Sequence, residues 1–204
     1  MPPSERPIPR FLAQPPQEPL PYGRWAEALG ERFLTACRDL GPADEIGEPG
    51  EIAWFPDRTH AGRTYLPATA PTSTGLELFG FVSYTREHEG AEAAGFQVQA
   101  DFTEETADAN PDWQLDLSDH EIASWRGPEG RRGEITLVWG ISLVRNGAVA
   151  TAELGPTTTD QCVLADERFT LVSLDNYTGD LLEVKLFGAR GVEMAAESLY
   201  EEDE

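Results

Sequence analysis

At 204 residues, with 40% hydrophobic and 9% aromatic side chains, the chain suits one globular domain, or one domain with an appendage. A chain of this size buries roughly 70% of the surface it exposes when unfolded, so it needs no disulfide or metal staple. Thirty-seven acidic residues against fifteen basic ones give a net charge of −22, which disfavours direct binding of nucleic acid and favours basic protein partners.

Fourteen of the fifteen bases are arginine and Lys185 is the only lysine, a usage that suits a high-GC genome. Cys37 and Cys162 are too few for a disulfide framework and lack the spacing of a metal knuckle, so both read as buried thiols in a reducing compartment. The N-terminus has no basic region followed by an apolar run. No stretch approaches the ~18 consecutive apolar residues of a membrane span. The expectation is a soluble, cytoplasmic protein without membrane partners.

Residues 1–21 hold eight prolines: Pro2, Pro3, Pro7, Pro9, Pro15, Pro16, Pro19 and Pro21. Proline fixes φ and removes an amide donor, so this arm is expected to be an extended strap. Ile8, Phe11, Leu12 and Leu20 give it apolar contacts with which to lie along a groove. Residues 22–41 follow as a helix packed on the body. Trp25, Leu29, Phe33, Ala36, Cys37 and Leu40 recur at three- and four-residue steps and Gly41-Pro42 stops the pattern.

From 51 to 200 the period changes to two, the mark of half-buried strands. "EIAWF" and "RTYLPATA" flank "PDRTHAG" as a hairpin, followed by "LELFGFVSYT" and "GFQVQADF". In the last of these, Phe96, Val98, Ala100 and Phe102 alternate with Gln97, Gln99 and Asp101. Gly80 marks a bulge or a close backbone approach. Asn146-Gly147 between two apolar runs is the best hairpin signal in the chain. "RFTLVSL" and "LLEVKLF" are further strands, while "VEMAAESLY" suits either a strand or a short helix. The fold class expected is mainly β: an antiparallel β-sandwich or open barrel, with lobes at 51–103 and 113–200. Residues 201–204 form an acidic tail. No βαβ alternation supports a parallel nucleotide-binding sheet.

The most chemically suggestive segment is "DANPDWQLDLSD". Asp108, Asn110, Asp112, Asp116 and Asp119 stand at positions 1, 3, 5, 9 and 12 of a window that resembles the oxygen-ligand spacing of a Ca²⁺ loop. Trp113 occupies the place where the sharp turn needs glycine, and Asp119 is shorter than the usual bidentate glutamate. "WQLDLSD" also alternates as a strand does, so the competing reading is an acidic loop entering a strand. Trp113 and Trp125 bracket this segment and are the candidates for an exposed aromatic platform that stacks on sugar.

No nucleophile elbow, P-loop or two-histidine zinc motif occurs, and His60, His88 and His120 fall in what read as separate loops. These absences point away from an enzyme. The functional expectation is a non-enzymatic interaction or assembly protein that acts through its acidic surface and its arm, which can also lace subunits into a homo-oligomer. The alternatives are a carbohydrate- or Ca²⁺-binding sandwich, and an acidic inhibitor of a basic or nucleic-acid-binding protein.

Overall fold

A computed structural model describes residues 8–88 and 90–200, the side chain of Ala43 excepted. The parts of the arm and the tail at 1–7 and 201–204 lie outside the described residues. The architecture is mainly β, with every strand pairing antiparallel, and it is β-sandwich-like.

The chain begins with β1 (Ala13–Gln14), then α1 (Gly23–Arg38) and the single turn α2 (Ala43–Ile46). Next come β2 (Ala53–Trp54), β3 (Arg58–His60), β4 (Arg63–Pro71), β5 (Glu77–Thr85) and β6 (Ala94–Thr103). These strands form one sheet in the order β1-β3-β4-β5-β6, with β2 also paired to β4. A second sheet, β11-β8-β7, is built from β7 (Leu115–Arg126), β8 (Arg132–Ser142) and β11 (Arg168–Asp175). A third, β10-β9-β12-β13, comes from β9 (Gly147–Leu154), β10 (Thr157–Val163), β12 (Leu182–Gly188) and β13 (Glu193–Ser198).

The period-2 alternation explains how these sheets stack. In β5, Leu78 and Val82 face α1 while Phe79 and Phe81 face the three-stranded sheet. In β8, Ile135, Leu137 and Trp139 face the first sheet, and Val138 faces the third. The three-stranded sheet is therefore a middle layer, apolar on both sides. The order is helix, six-stranded sheet, three-stranded sheet, four-stranded sheet. Leu29, Phe33 and Cys37 form the buried stripe of α1, as their spacing requires.

Asn146-Gly147 does not close a hairpin. Asn146 does adopt a left-handed φ of 69°, yet β8 pairs with β7 and β11, whereas β9 pairs with β10 and β12. The reason is that β8 has no free edge: both of its sides are already hydrogen-bonded, so the returning strand enters the next layer. "VEMAAESLY" resolves as a strand, because β13 pairs with β12. The loop expectation for two histidines also fails, since His60 ends β3 and His120 sits within β7.

The layers are pinned together along one side. Arg58, on β3, is 1% exposed and donates from Nη2 to the Asp160 carboxylate at 2.8 Å and to the Gln161 carbonyl at 2.6 Å. Its Nε donates to the Thr170 carbonyl at 2.8 Å and its Nη1 to the Gln14 carbonyl at 3.4 Å. The same carboxylate accepts the Val172 amide at 2.8 Å. One guanidinium thus joins β1, β3, β10 and β11, segments of all three sheets. Burial raises the Asp160 carboxyl above its ordinary value, and the Arg58 charge beside it works in the opposite direction.

Residues 8–20 lie against this same side. Phe11 donates its amide to the Thr159 carbonyl at 2.7 Å, and the His60 Nδ1–H bonds the Leu12 carbonyl at 2.8 Å. The buried Asp57 carboxylate accepts the amides of Gln17 and Glu18 at 3.2 and 3.3 Å. Ile8 and Leu12 cover a small core of Leu154, Leu174 and Tyr177.

Candidate functional site around the free edge strand

With β1, β3, β10 and β11 converging on one side, the opposite side of the stack is where the first two sheets end, on β6 and β7. Among the described residues β6 pairs only with β5, so its outer edge is unpaired over ten residues. Its two faces open onto two different hollows.

Toward α1, β6 presents Phe96, Val98 and Ala100, all half-buried. The helix leaves a groove of about 530 Å³ beside them, lined by Ala28, Glu31, Arg32, Thr35, Ala36 and Asp39. A neighbouring hollow of about 470 Å³ shares Ala28, Arg32 and Phe96 and extends to Trp25, Arg86 and Glu92. Aromatic rings floor this region: Trp25 meets Tyr84 edge-on at 5.6 Å and Phe96 at 6.3 Å. Arg32 stacks 4.1 Å from the Phe96 ring, and Arg86 lies over Tyr84 while pairing with Glu18. Arg32 keeps its positive charge on the lip beside Glu31, Asp39 and Glu92, while Arg86 is paired with Glu18.

Toward the middle sheet, the register aligns Gln99 with Phe81 and Asp101 with Phe79, so both polar residues share the face of those rings. Here the sheets part to leave a cleft of about 220 Å³ bordered by Phe79, Phe81, Gln99, Asp101, His120 and Trp139. His120 meets Phe81 edge-on at 5.3 Å, and Phe81 meets Trp139 likewise at 6.4 Å. Gly80 forms part of the wall with φ of +154°, and a Cβ built there would stand 2.1 Å from the Gln99 carbonyl oxygen. The expectation of a close backbone approach at Gly80 is met, and the register shows no bulge at that residue.

The aspartate segment is divided by the fold. Residues 106–110 form a turn in which the Asn110 side-chain amide donates to the Thr106 carbonyl at 3.0 Å. Asp116 pairs with Ile141 and Asp119 with Val138, two residues on opposite faces of β8, so these carboxylates stand on opposite faces of β7. Asp108 and Asp116 instead approach Glu77, whose carboxyl is raised from 4.5 to about 7 by burial and then by those two charges. Asp119 borders the cleft, but its register places it on the side of Asp175, and burial and the Asp175 charge raise its carboxyl. Asp112 is exposed. Among the described residues, no group of three or more histidine, cysteine, aspartate or glutamate side chains is placed to hold a metal ion.

Trp113 is half-buried, and Trp125 packs against two cores beside Leu12. Both cysteines are buried; burial raises Cys37 to about 11 and lifts Cys162 above its ordinary value. Among the described residues no helix is long and apolar enough to cross a membrane.

The residues that sequence reasoning missed are Gln99, Asp101, His120 and Trp139. The alternation of β6 had marked Gln99 and Asp101 as a polar face, but their meeting with β7 and β8 is a long-range event. Comparison with protein-family models, with curated proteins and with solved structures finds no match to this chain.

Proposed function

We propose that the protein is a non-enzymatic interaction protein that receives an extended, basic segment of a protein partner along β6. The observation that carries this reading is the outer edge of β6, unpaired among the described residues, a ten-residue strand in a sheet whose other edge is covered by residues 13–14 of the same chain. Exposed edges are ready templates for strand addition, and natural proteins usually blunt them. Backbone hydrogen bonds supply affinity in this mode, and pockets for alternate side chains supply specificity. The groove beside Phe96 and Val98 offers such pockets, with Glu31, Asp39 and Glu92 around it. A net charge of −22 selects a basic segment and disfavours a second copy of this chain.

The test is selection from a displayed library of extended peptides, followed by NMR of the labelled full chain with the enriched peptides. Enrichment of sequences alternating apolar and basic residues supports the reading, with protection of the amides of residues 94–103. Ala28→Arg, which fills the groove from an exposed helix position, abolishes that binding without loss of stability. A library with no enrichment, or peptides that protect other strands, overturns it.

A further inference from the structure

The edge of β6 has two unlike ends. α1 and β6 run side by side in the same direction: Trp25, Ala28 and Arg32 stand with Phe96 around one hollow, and Ala28, Arg32 and Asp39 with Phe96 and Val98 around the next. Arginines gather at the start of β6. Arg32, exposed on α1, holds its guanidinium 4.1 Å from the Phe96 ring, and among the described residues no ion pair involves it. Arg63 donates from Nη1 to the Gly95 carbonyl at 2.9 Å, and Arg86 borders the same hollow as Arg32, paired with Glu18. Glu31 and Glu92 share the lip, which leaves Arg32 as the group there that an incoming carboxylate can pair with. The finish of β6 is acidic. Asp39 lines the groove on that side, Asp101 is exposed on the strand, and Glu104 and Glu105 follow it, both exposed.

A bound strand has a direction, and this polarity selects one. Among the described residues every strand pair is antiparallel, the more stable arrangement per residue. A segment added to β6 in that sense enters at the acidic end and finishes beside Arg32. A parallel segment carries its N-terminal side to the arginines, against the charge. β6 begins at Ala94, so the ladder ends where the hollow of about 470 Å³ starts, with Gly90, Ala91 and Ala93 in its wall. A free carboxylate is what ends a chain, and an arginine fork binds it in a charge-assisted pair. We propose that the segment received by β6 is the C-terminus of a basic partner, bound antiparallel, with its terminal carboxylate paired to Arg32 and its last apolar side chain in the hollow beside Trp25 and Phe96. This rests on the reading of β6 as a peptide site and adds to it the partner's chain end and direction.

The probe is the peptide acetyl-Lys-Val-Lys-Val-Lys-Val, prepared as the free acid, as the C-terminal amide, and with Gly-Ser-Gly-Ser appended. Each is titrated into the labelled full chain at physiological salt and followed by NMR. The field of a chain at −22 favours the amide, which lacks the terminal negative charge, so a preference for the acid reports a local cation. The acid should bind about tenfold tighter than the amide or the extended peptide, as suits one charge-assisted pair. Arg32→Gln, at an exposed helix position, should bring acid and amide to one affinity, while Arg145→Gln, exposed and outside both hollows, keeps the preference. A nitroxide in place of the acetyl group should broaden the amide signals of residues 101–103 and spare those of 94–96. Equal binding of acid and amide, equal binding of the extended peptide, a preference that survives Arg32→Gln, or the reverse broadening overturns the proposal. In those cases protection of residues 94–103 by the amide form keeps β6 as a peptide site. If none of the three peptides binds, both readings fall.

Discussion

Replacing Asp160 with alanine should be among the most damaging single changes in this protein. The substitution removes a carboxylate that accepts from Arg58, from the Val172 amide and from the Gln161 amide, each at 2.8 Å. It leaves a guanidinium at 1% exposure facing only carbonyl oxygens. Removing one partner of a buried ion pair costs about 3–5 kcal/mol, because the surviving charge stays desolvated. Against a total stability of about 5–15 kcal/mol that is a large fraction. For a chain of this length it lowers Tm by roughly 6–20 °C. The assay is urea and thermal unfolding followed by circular dichroism, on Asp160→Ala, Arg58→Met and the double variant.

The two single changes should be strongly non-additive, because the second removes a charge that the first has already orphaned. Arg58→Met should have a further effect that Asp160→Ala shows less: it frees the Gln14 carbonyl, so protease cleavage within residues 8–20 should accelerate. A loss under ~1 kcal/mol for Asp160→Ala, or a double variant whose loss equals the sum of the singles, refutes the reasoning.

Glu77→Gln tests the carboxylate group formed with Asp108 and Asp116. Because the folded protein holds the Glu77 proton more tightly than the unfolded chain, its contribution to stability falls as pH rises from 4.5 to about 7. That interval corresponds to roughly 3 kcal/mol, so the glutamine variant should exceed the parent by up to that amount at pH 8 and equal it at pH 4; unfolding curves at both values decide it. Gly80→Ala should cost at least the ~1–3 kcal/mol of an overpacked site, since its Cβ meets the Gln99 carbonyl, and a change in Tm of less than a degree would contradict this. Cys37 and Cys162 should resist thiol reagents in the native protein at pH 8 and react on denaturation, because burial keeps both protonated and out of reach.

Several elements were legible in the chain because their information is local. The stripe from Trp25 to Leu40 specifies a helix with one buried face, and Gly41-Pro42 ends it near the observed boundary at Arg38. The alternation in 94–103 gives β6 its apolar and polar faces, with Phe102, at 41% exposure, the departure where α1 no longer covers the strand. Asn146-Gly147 shows the limit of such signals. A turn dictates that the chain reverses, and its residues carry no information on whether the flanking strand still has a free edge.

The candidate site was hidden for the same reason. Asp108 to Asp119 looked like a set because they are close in sequence, yet β7 sends Asp116 and Asp119 to opposite faces. Gln99, His120 and Trp139 looked unrelated, yet three strands bring them to one cleft.

By itself the sequence determined a mainly β body, a helix with one buried face and a net charge of −22, since these follow from periodicity and the count of charges. Only the tertiary structure decided that three sheets stack, that Arg58 and Asp160 clasp them on one side, and that, among the described residues, β6 and β7 end their sheets on the other. Those outcomes depend on how the edges and faces of all the strands are shared out among three sheets, and that is a property of the whole chain.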